Sequence, residues 1–437
     1  MMEEDQLVLR ISRILIVPLA AVVLIPLLFT ELHIFSSHDL VGSAIPDTVF
    51  LEHAAQGLVR GHIPYSSNFM VAPDTRLTFI YPPLSLVLSL APLLAGGHYS
   101  LGFSIQMVVL TGVGLLALHV FCRRCGISFP IALTAAVLLV AVGPVLLTRL
   151  DGVQGLALAG AALALRSRRM ALAVALVTLS VLVKETVVVA LIPVVVWALW
   201  PAAEVHWSDG LGRRAAAVGW GLVPALVVAV TFLVWSRGQV LSAAFAAIHR
   251  GVEIESIPAS ISYLTHPLLR LHSCIGQLGS SQVSGPQVTV AAAVAGAIGV
   301  VALVWGAIHF AREGRRPVTT IAFAVAVSMT ATPVLSPQYV LGFMPVLVLA
   351  AALEFTAVRS YLLLGTGLIT ALLTQAEFPY LFSSVAALEP PGMIVVVVRN
   401  LLLIALAVNL ARAAPLPAPA VAGLASQPGA PGLVQPT

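Results

Sequence analysis

The stretch from residue 174 to residue 200, VALVTLSVLVKETVVVALIPVVVWALW, is apolar from end to end except for Lys184-Glu185 at its centre. A helix needs about 20 mostly apolar residues to cross roughly 30 Å of hydrocarbon. Comparable runs lie near 13–31, 78–95, 101–121, 130–147, 215–235, 287–310, 317–335, 338–353, 357–374 and 392–411. The quoted stretch itself divides into 170–183 and 186–200, and with 152–166 these pieces are short for full crossings. Broken or re-entrant helices are expected there. Alternating apolar strands are missing, which argues against a barrel, and a backbone in lipid must satisfy its own hydrogen bonds. The expected fold class is therefore all-α: a polytopic integral membrane protein with about 12–13 transmembrane helices.

Composition agrees. The chain is 59% hydrophobic and only 9% charged over 437 residues, against about a quarter charged in soluble domains. The net charge of +4 does not point to nucleic acid. Its arginines sit in short turns such as Arg123-Arg124, Arg166-Ser167-Arg168-Arg169, Arg213-Arg214 and Arg312 to Arg316, the pattern of cytoplasmic loops. Arg10 and Arg13 place the N-terminus in the cytoplasm, and the first run should act as an uncleaved anchor. The arginine bias suits a GC-rich bacterial genome. Residues 413–437, rich in Pro, Ala and Gly, are expected to form a disordered cytoplasmic tail after a membrane domain spanning 1–412. Cys122 and Cys125 have a redox or metal spacing but no second pair, and read as ordinary thiols. One inconsistency stands out. Two full crossings after an outer first loop would put Arg123-Arg124 outside, so either one run between 78 and 200 fails to cross or that basic turn is an exception.

Charge is concentrated in a polar loop between Glu31 and Pro83, which holds Asp39, Asp47, Glu52, Arg60, Asp74, Arg76 and four histidines. Asp47 precedes a segment able to lie on the bilayer. It could take a proton from an acceptor hydroxyl or start a helix after Pro46, and spacing does not separate the two. Lys184 is the only lysine in the chain. An ionised group inside a membrane costs several kcal/mol and usually serves a function. Lys184 reads either as a cation facing an anionic substrate or as half of an ion pair pinning two helix segments. A second polar segment, about 236–286, carries His249-Arg250-Gly251-Val252-Glu253-Ile254-Glu255-Ser256. His249 and Arg250 could grip a phosphate, and Glu255 could orient a cation or bind sugar hydroxyls. Ser336-Pro337-Gln338-Tyr339 and Gln375-Ala376-Glu377-Phe378-Pro379-Tyr380 fall at helix ends on the same side. Gln338 and Glu377 are candidate sugar contacts, while the tyrosines there also suit interface anchoring. No Walker loop, dinucleotide fingerprint or His/Cys metal cluster is present in the sequence.

The order of these pieces resembles the polyprenyl-phosphate-sugar-dependent glycosyltransferases of the GT-C class, and glycosyltransferase family 87, with its actinobacterial α-mannosyltransferases, in particular. That family pairs an outer-loop aspartate with Gly-x-x-Pro-Tyr and Tyr-Pro-Pro. Here these are Asp47, Gly61 to Tyr65, and Tyr81-Pro82-Pro83. Arg250 to Ser256, Lys184 and Ser336 to Tyr339 match further family segments. Phe50, where the family often has tyrosine, and Leu150 to Gln154 depart from it.

The resemblance implies a GT-C-like fold in a bacterial plasma membrane with its active site on the outer face. It implies a polyprenyl-phosphate-mannose donor and a lipid or glycan acceptor; the sequence has no dense acidic pair to hold a metal, so no metal or cofactor is expected. Asp47 would be the general base of an inverting displacement. Lys184, Arg250 and His249 would hold the donor phosphate, and Glu255, Tyr65, Tyr81, Gln338 and Glu377 would contact substrate. An arabinofuranose donor, or a transporter without enzymatic activity, are the alternatives.

Overall fold

The computed structural model describes residues 47–66, 70–72, 75–76, 79–124, 127, 130–199, 210–248, 250–264, 271–275, 280–313 and 316–412. The first apolar run, Asp39, Asp74, His249 and the tail after 412 lie outside the described residues. The molecule is an all-α polytopic membrane protein. Among the described residues, five helices are long and apolar enough to span a bilayer, and six shorter apolar helical segments pack with them.

In chain order the helices are α1 (Asp47–Val59), α2 (Pro83–Leu88), α3 (Tyr99–Arg124), α4 (Ile131–Ala141), α5 (Val145–Thr148), α6 (Asp151–Arg166) and α7 (Met170–Val183). After the 3-10 segment Glu185–Ala190 come α8 (Leu191–Leu199), α9 (Leu211–Trp235), α10 (Gln239–Ile248) and α11 (Ile257–Tyr263). The rest are α12 (Pro286–Glu313), α13 (Pro317–Ala331), α14 (Tyr339–Glu354), α15 (Ala357–Gln375), α16 (Phe382–Ala386) and α17 (Pro390–Ala411). Two small antiparallel hairpins complete the description: β1 (Met70–Ala72) with β2 (Thr75–Arg76), and β3 (His272–Ile275) with β4 (Ser281–Ser284).

The run 78–95 does not form one spanning helix. Pro82 and Pro83 start α2 where a missing N–H costs nothing. The helix is only six residues long, and the chain then makes the five-residue 3-10 turn Ala91–Ala95 and reverses at Gly96, with φ +60°. The Tyr99 hydroxyl donates to the Ser89 carbonyl (3.0 Å), and the Gln106 amide to that of Leu88 (2.9 Å), tying this piece to the start of α3. Ser100, also at that start, reaches Thr48 of α1 at 3.5 Å. α1 and the beginning of α3 therefore share one face, called the loop face. α3 is then the first described crossing, and Arg123-Arg124 join the other arginine turns on the opposite face.

From there the crossings alternate. Arg166 lies 3.7 Å from Glu354, and the Arg316 guanidinium donates to the Glu354 carbonyl (2.7 Å). Arg359 donates to the Arg412 carbonyl (3.0 Å). Glu354 also accepts the Val318 and Thr319 backbone N–H groups (3.3 and 2.7 Å), satisfying donors that the first turn of α13 leaves open. These contacts gather the ends of α6, α13, α14, α15 and α17 on the arginine face.

α6, α7, α13 and α14 have 16, 14, 15 and 16 residues, about 21–24 Å at 1.5 Å per residue. α3, α9 and α12 have 26, 25 and 28 residues and expose most of their surface, as lipid-facing helices do. α13 and α14 are buried along almost their whole length. Between the short central helices and the 3-10 segment lies a small cavity of about 50 Å³, lined by Gln154, Thr186, Ser328, Thr332 and Tyr339 and called the recess. At the centre, a side chain on Gly155 of α6 would stand 2.7 Å from the Leu341 carbonyl, so glycine is what lets α6 and α14 touch.

Candidate functional site

The recess is built around the break between α7 and the following 3-10 segment. Lys184 is extended there (φ −158°, ψ 129°), which turns its side chain away from the helix axis. Its ammonium donates to both oxygens of Asp151, at 3.0 and 3.1 Å, and both side chains are buried. Asp151 lies in the first turn of α6, where the helix dipole favours a carboxylate. One turn further, the Gln154 amide donates to the carbonyls of Ser180 (3.0 Å) and Lys184 (2.7 Å). The Ser180 carbonyl also accepts the Lys184 N–H (3.0 Å), so Gln154 bridges the last turn of α7 and the extended residue that follows it, and Asp151 holds that residue's side chain. The sequence neighbour Glu185 is therefore not the partner of Lys184. It is half-buried beside the pair, within its field.

Two tyrosines cover the ammonium. Its nitrogen lies 4.5 Å from the Tyr339 ring centre and 6.0 Å from that of Tyr81, within cation–π range. Tyr339 is the first residue of α14, directly after Ser336-Pro337-Gln338. Gln338 is buried, and its side-chain oxygen accepts from the Ser336 hydroxyl (2.7 Å). Tyr81 belongs to an aromatic cluster from the first loop: Phe50 lies 6.0 Å from Tyr81 and stacks on Phe79 at 5.3 Å. Tyr65 packs edge-on against Phe79 and donates its hydroxyl to the Tyr81 carbonyl at 3.2 Å, so it acts as a brace for Tyr81. Asp47 is the first residue of α1, three residues before Phe50. The helix that begins with Asp47 thus docks on the ring that covers Lys184.

The second polar segment closes another side. Arg250 pairs with Glu253 at 2.5 Å, and the Glu253 N–H donates to the Pro333 carbonyl (2.9 Å), at the end of α13. Tyr81 stands in the fields of Asp151, Arg250, Tyr339 and Glu185, and Arg149 in those of Asp151, Glu255 and Glu253. Burial pushes the Glu253 carboxyl up from its ordinary range, although Arg250 pulls it back. Glu255 is pushed well up, by burial first and then by the Glu377 and Glu253 carboxylates.

Glu377 lies at a second centre. It pairs with Arg399 at 2.5 Å, with both side chains fully buried. Arg399 and Asn400 of α17 donate to the Glu255 carbonyl at 2.5 and 3.0 Å, and Asn400 also donates to the Ser260 hydroxyl (2.8 Å). Ser256 caps α11 by accepting the Ala259 N–H at 3.3 Å. This network fixes the 250–263 segment onto α17. Glu377 and Glu255 thus belong to a scaffold network, whereas Tyr339 lines the recess and Lys184 lies against the Tyr339 and Tyr81 rings.

Sequence reading missed Asp151, Gln154, Arg149 and the Arg399-Asn400 pair. Arg399 is a charge inside the last apolar run, and the rule that singled out Lys184 applies to it equally. Asp151 sits beside a run boundary, where a loop carboxylate is unremarkable, and only the fold brings it across 33 residues to Lys184.

No protein-family model matches the chain, and no curated protein matches it. What the fold and site define is an all-α, membrane-embedded protein with a buried Lys184–Asp151 pair covered by two tyrosine rings beside a small cavity.

Proposed function

We propose that this protein is an integral-membrane glycosyltransferase that moves a hexose, with mannose as the implied sugar, from a polyprenyl-phosphate donor to a lipid or glycan acceptor. The observation that carries this reading is the recess itself. Lys184 lies against two tyrosine rings, Arg250 is within the electrostatic reach of both, and the helix that opens with Asp47 packs on one of them through Phe50. A lipid-linked donor brings a long apolar tail that stays in the bilayer and a phosphate that must be met at its surface. Charges are costly inside a membrane unless they are used. Placing the arginine face in the cytoplasm puts the recess on the outer face of a bacterial plasma membrane.

The step is a direct displacement. Asp47 takes the proton of an acceptor hydroxyl, whose oxygen attacks the anomeric carbon. The bond from that carbon to the phosphate oxygen breaks, and the electron pair leaves with the polyprenyl phosphate. Lys184 and Arg250 stabilise the charge that develops there. In the resting protein both cations are held by carboxylates, Lys184 by Asp151 and Arg250 by Glu253. The entering phosphate shares them. One inversion needs only a base and an activated leaving group.

Membranes carrying wild type, Asp47→Ala or Lys184→Met are given radiolabelled polyprenyl-phosphate-mannose. Label should move to a lipid or glycan product with wild type alone. Turnover retained by Asp47→Ala would remove the base, and turnover retained by Lys184→Met would remove the phosphate ligand. Absence of transfer by wild type from both the mannose and the arabinose donors would sink the reading.

A further inference from the structure

The arginine face carries a second cleft, unrelated to the recess. It has a volume of about 330 Å³ and lies between the starts of α7 and α9. Arg168, Arg169, Arg213 and Arg214 line it together with Met170 and Leu172, and no acidic side chain does among the described residues. Arg168 adopts a left-handed backbone conformation (φ +58°) in the tight turn that separates α6 from α7.

Two features make this more than a basic loop. α7 and α9 are parallel, both running from the arginine face to the loop face, so both present their N-termini here. Neither N-terminus is closed by a side-chain cap, which leaves two positive dipole ends aimed at the same space. Gly221 sets that pairing, because a side chain there would come within 2.6 Å of the Ala171 carbonyl and of Val174. Moreover, Arg214 is 91% buried (9% exposed), and its Nε and Nη1 have no hydrogen-bond partner among the described residues. A buried guanidinium with open donors is expensive unless a ligand meets it.

We propose that this cleft binds a phosphate-bearing anion, with Arg214 as its central ligand and Arg169 at its mouth. The planar guanidinium donors suit phosphate oxygens. The apolar walls from Met170 and Leu172, at the edge of the membrane, fit the headgroup of an anionic phospholipid. The site lies across the membrane from the recess, so it stands whether or not the glycosyltransferase reading does.

The test uses full-length protein purified in neutral detergent. Tm is followed while phosphatidylglycerol, phosphatidylcholine or inorganic phosphate is added. Phosphatidylglycerol should raise Tm saturably and phosphatidylcholine should not. Arg214→Gln should raise the half-saturating lipid concentration roughly ten-fold or more, as expected for losing hydrogen bonds to a charged group. Arg169→Gln, an exposed position, should move it the same way and decides the matter if the buried variant does not fold. Arg359→Gln, another arginine on this face, should leave it unchanged. An equal saturable rise with inorganic phosphate alone would assign the site to a soluble phosphate. No rise in wild type with either, or the same rise in every variant, would overturn the proposal.

Discussion

Asp151→Ala should be among the most destabilising single changes in the protein. The Asp151–Lys184 pair makes two charge-assisted hydrogen bonds, at 3.0 and 3.1 Å. Its side chains are 2% and 6% exposed, so water cannot replace either partner. Two such bonds at about 1.5–3 kcal/mol each suggest a loss of roughly 3–6 kcal/mol. Stranding one member of a buried pair typically costs about 3–5 kcal/mol, in agreement. With about 2.1 cal/mol/K of unfolding entropy per residue, a chain of 437 residues loses roughly 1.1 °C of Tm per kcal/mol, giving a drop of about 3–6 °C. Helices that persist in the micelle lower that entropy and enlarge the drop. Thermal unfolding in detergent, followed by tryptophan fluorescence, reads it. The double variant Asp151→Leu with Lys184→Met should recover most of the loss, because it removes both charges. A Tm for Asp151→Ala within about 1 °C of wild type, or a double variant worse than either single one, would refute the pairing.

Three further outcomes follow from the packing. Gly155→Leu should prevent assembly, since its side chain would strike the Leu341 and Gly342 carbonyls at 2.7 and 2.8 Å; loss of the monodisperse peak in size-exclusion chromatography reads it. Phe50→Ala should loosen α1 from Phe79 and Tyr81, at a cost of about 3–5 kcal/mol if the site does not collapse. Hydrogen exchange across 47–59 should then rise while α13 and α14 stay protected. The Glu255 carboxyl is raised in the folded protein, so its contribution to stability is complete below its unfolded value of about 4.3 and is lost as pH rises through the raised value. Glu255→Gln should therefore match wild type near pH 4 and equal or exceed its Tm at pH 8. A variant that is less stable at pH 8 would contradict that sign.

Much of the fold was legible because membrane helices announce themselves by length and apolarity. The runs read at 170–183 and 357–374 are the helices Met170–Val183 and Ala357–Gln375. The positive-inside pattern also flagged a misfit at Arg123-Arg124. Its cause, the broken piece 83–95, was hidden because an apolar run reads alike whether it crosses or folds back; the reversal rests on Gly96 and on contacts from Tyr99 and Gln106.

The site was less legible. Lys184 stood out as a lone charge in an apolar stretch, but its partner did not, since pairing across helices is a property of packing rather than spacing. Glu185 was the nearest carboxylate in sequence and the wrong one. Tyr65 and Glu377 look like substrate contacts in sequence, and in the structure their partners are the Tyr81 carbonyl and Arg399. Asp47 was chosen from the loop, and its helix docks beside Tyr81, which only the aromatic cluster could reveal.

The central claim is that the recess holds a lipid-linked sugar phosphate. The most direct measurement is binding of polyprenyl-phosphate-mannose to purified protein by native mass spectrometry, wild type against Lys184→Met. The account predicts a one-to-one complex with wild type, displaced by polyprenyl phosphate and lost in the variant. Equal binding by both proteins, or no complex with wild type, would contradict it.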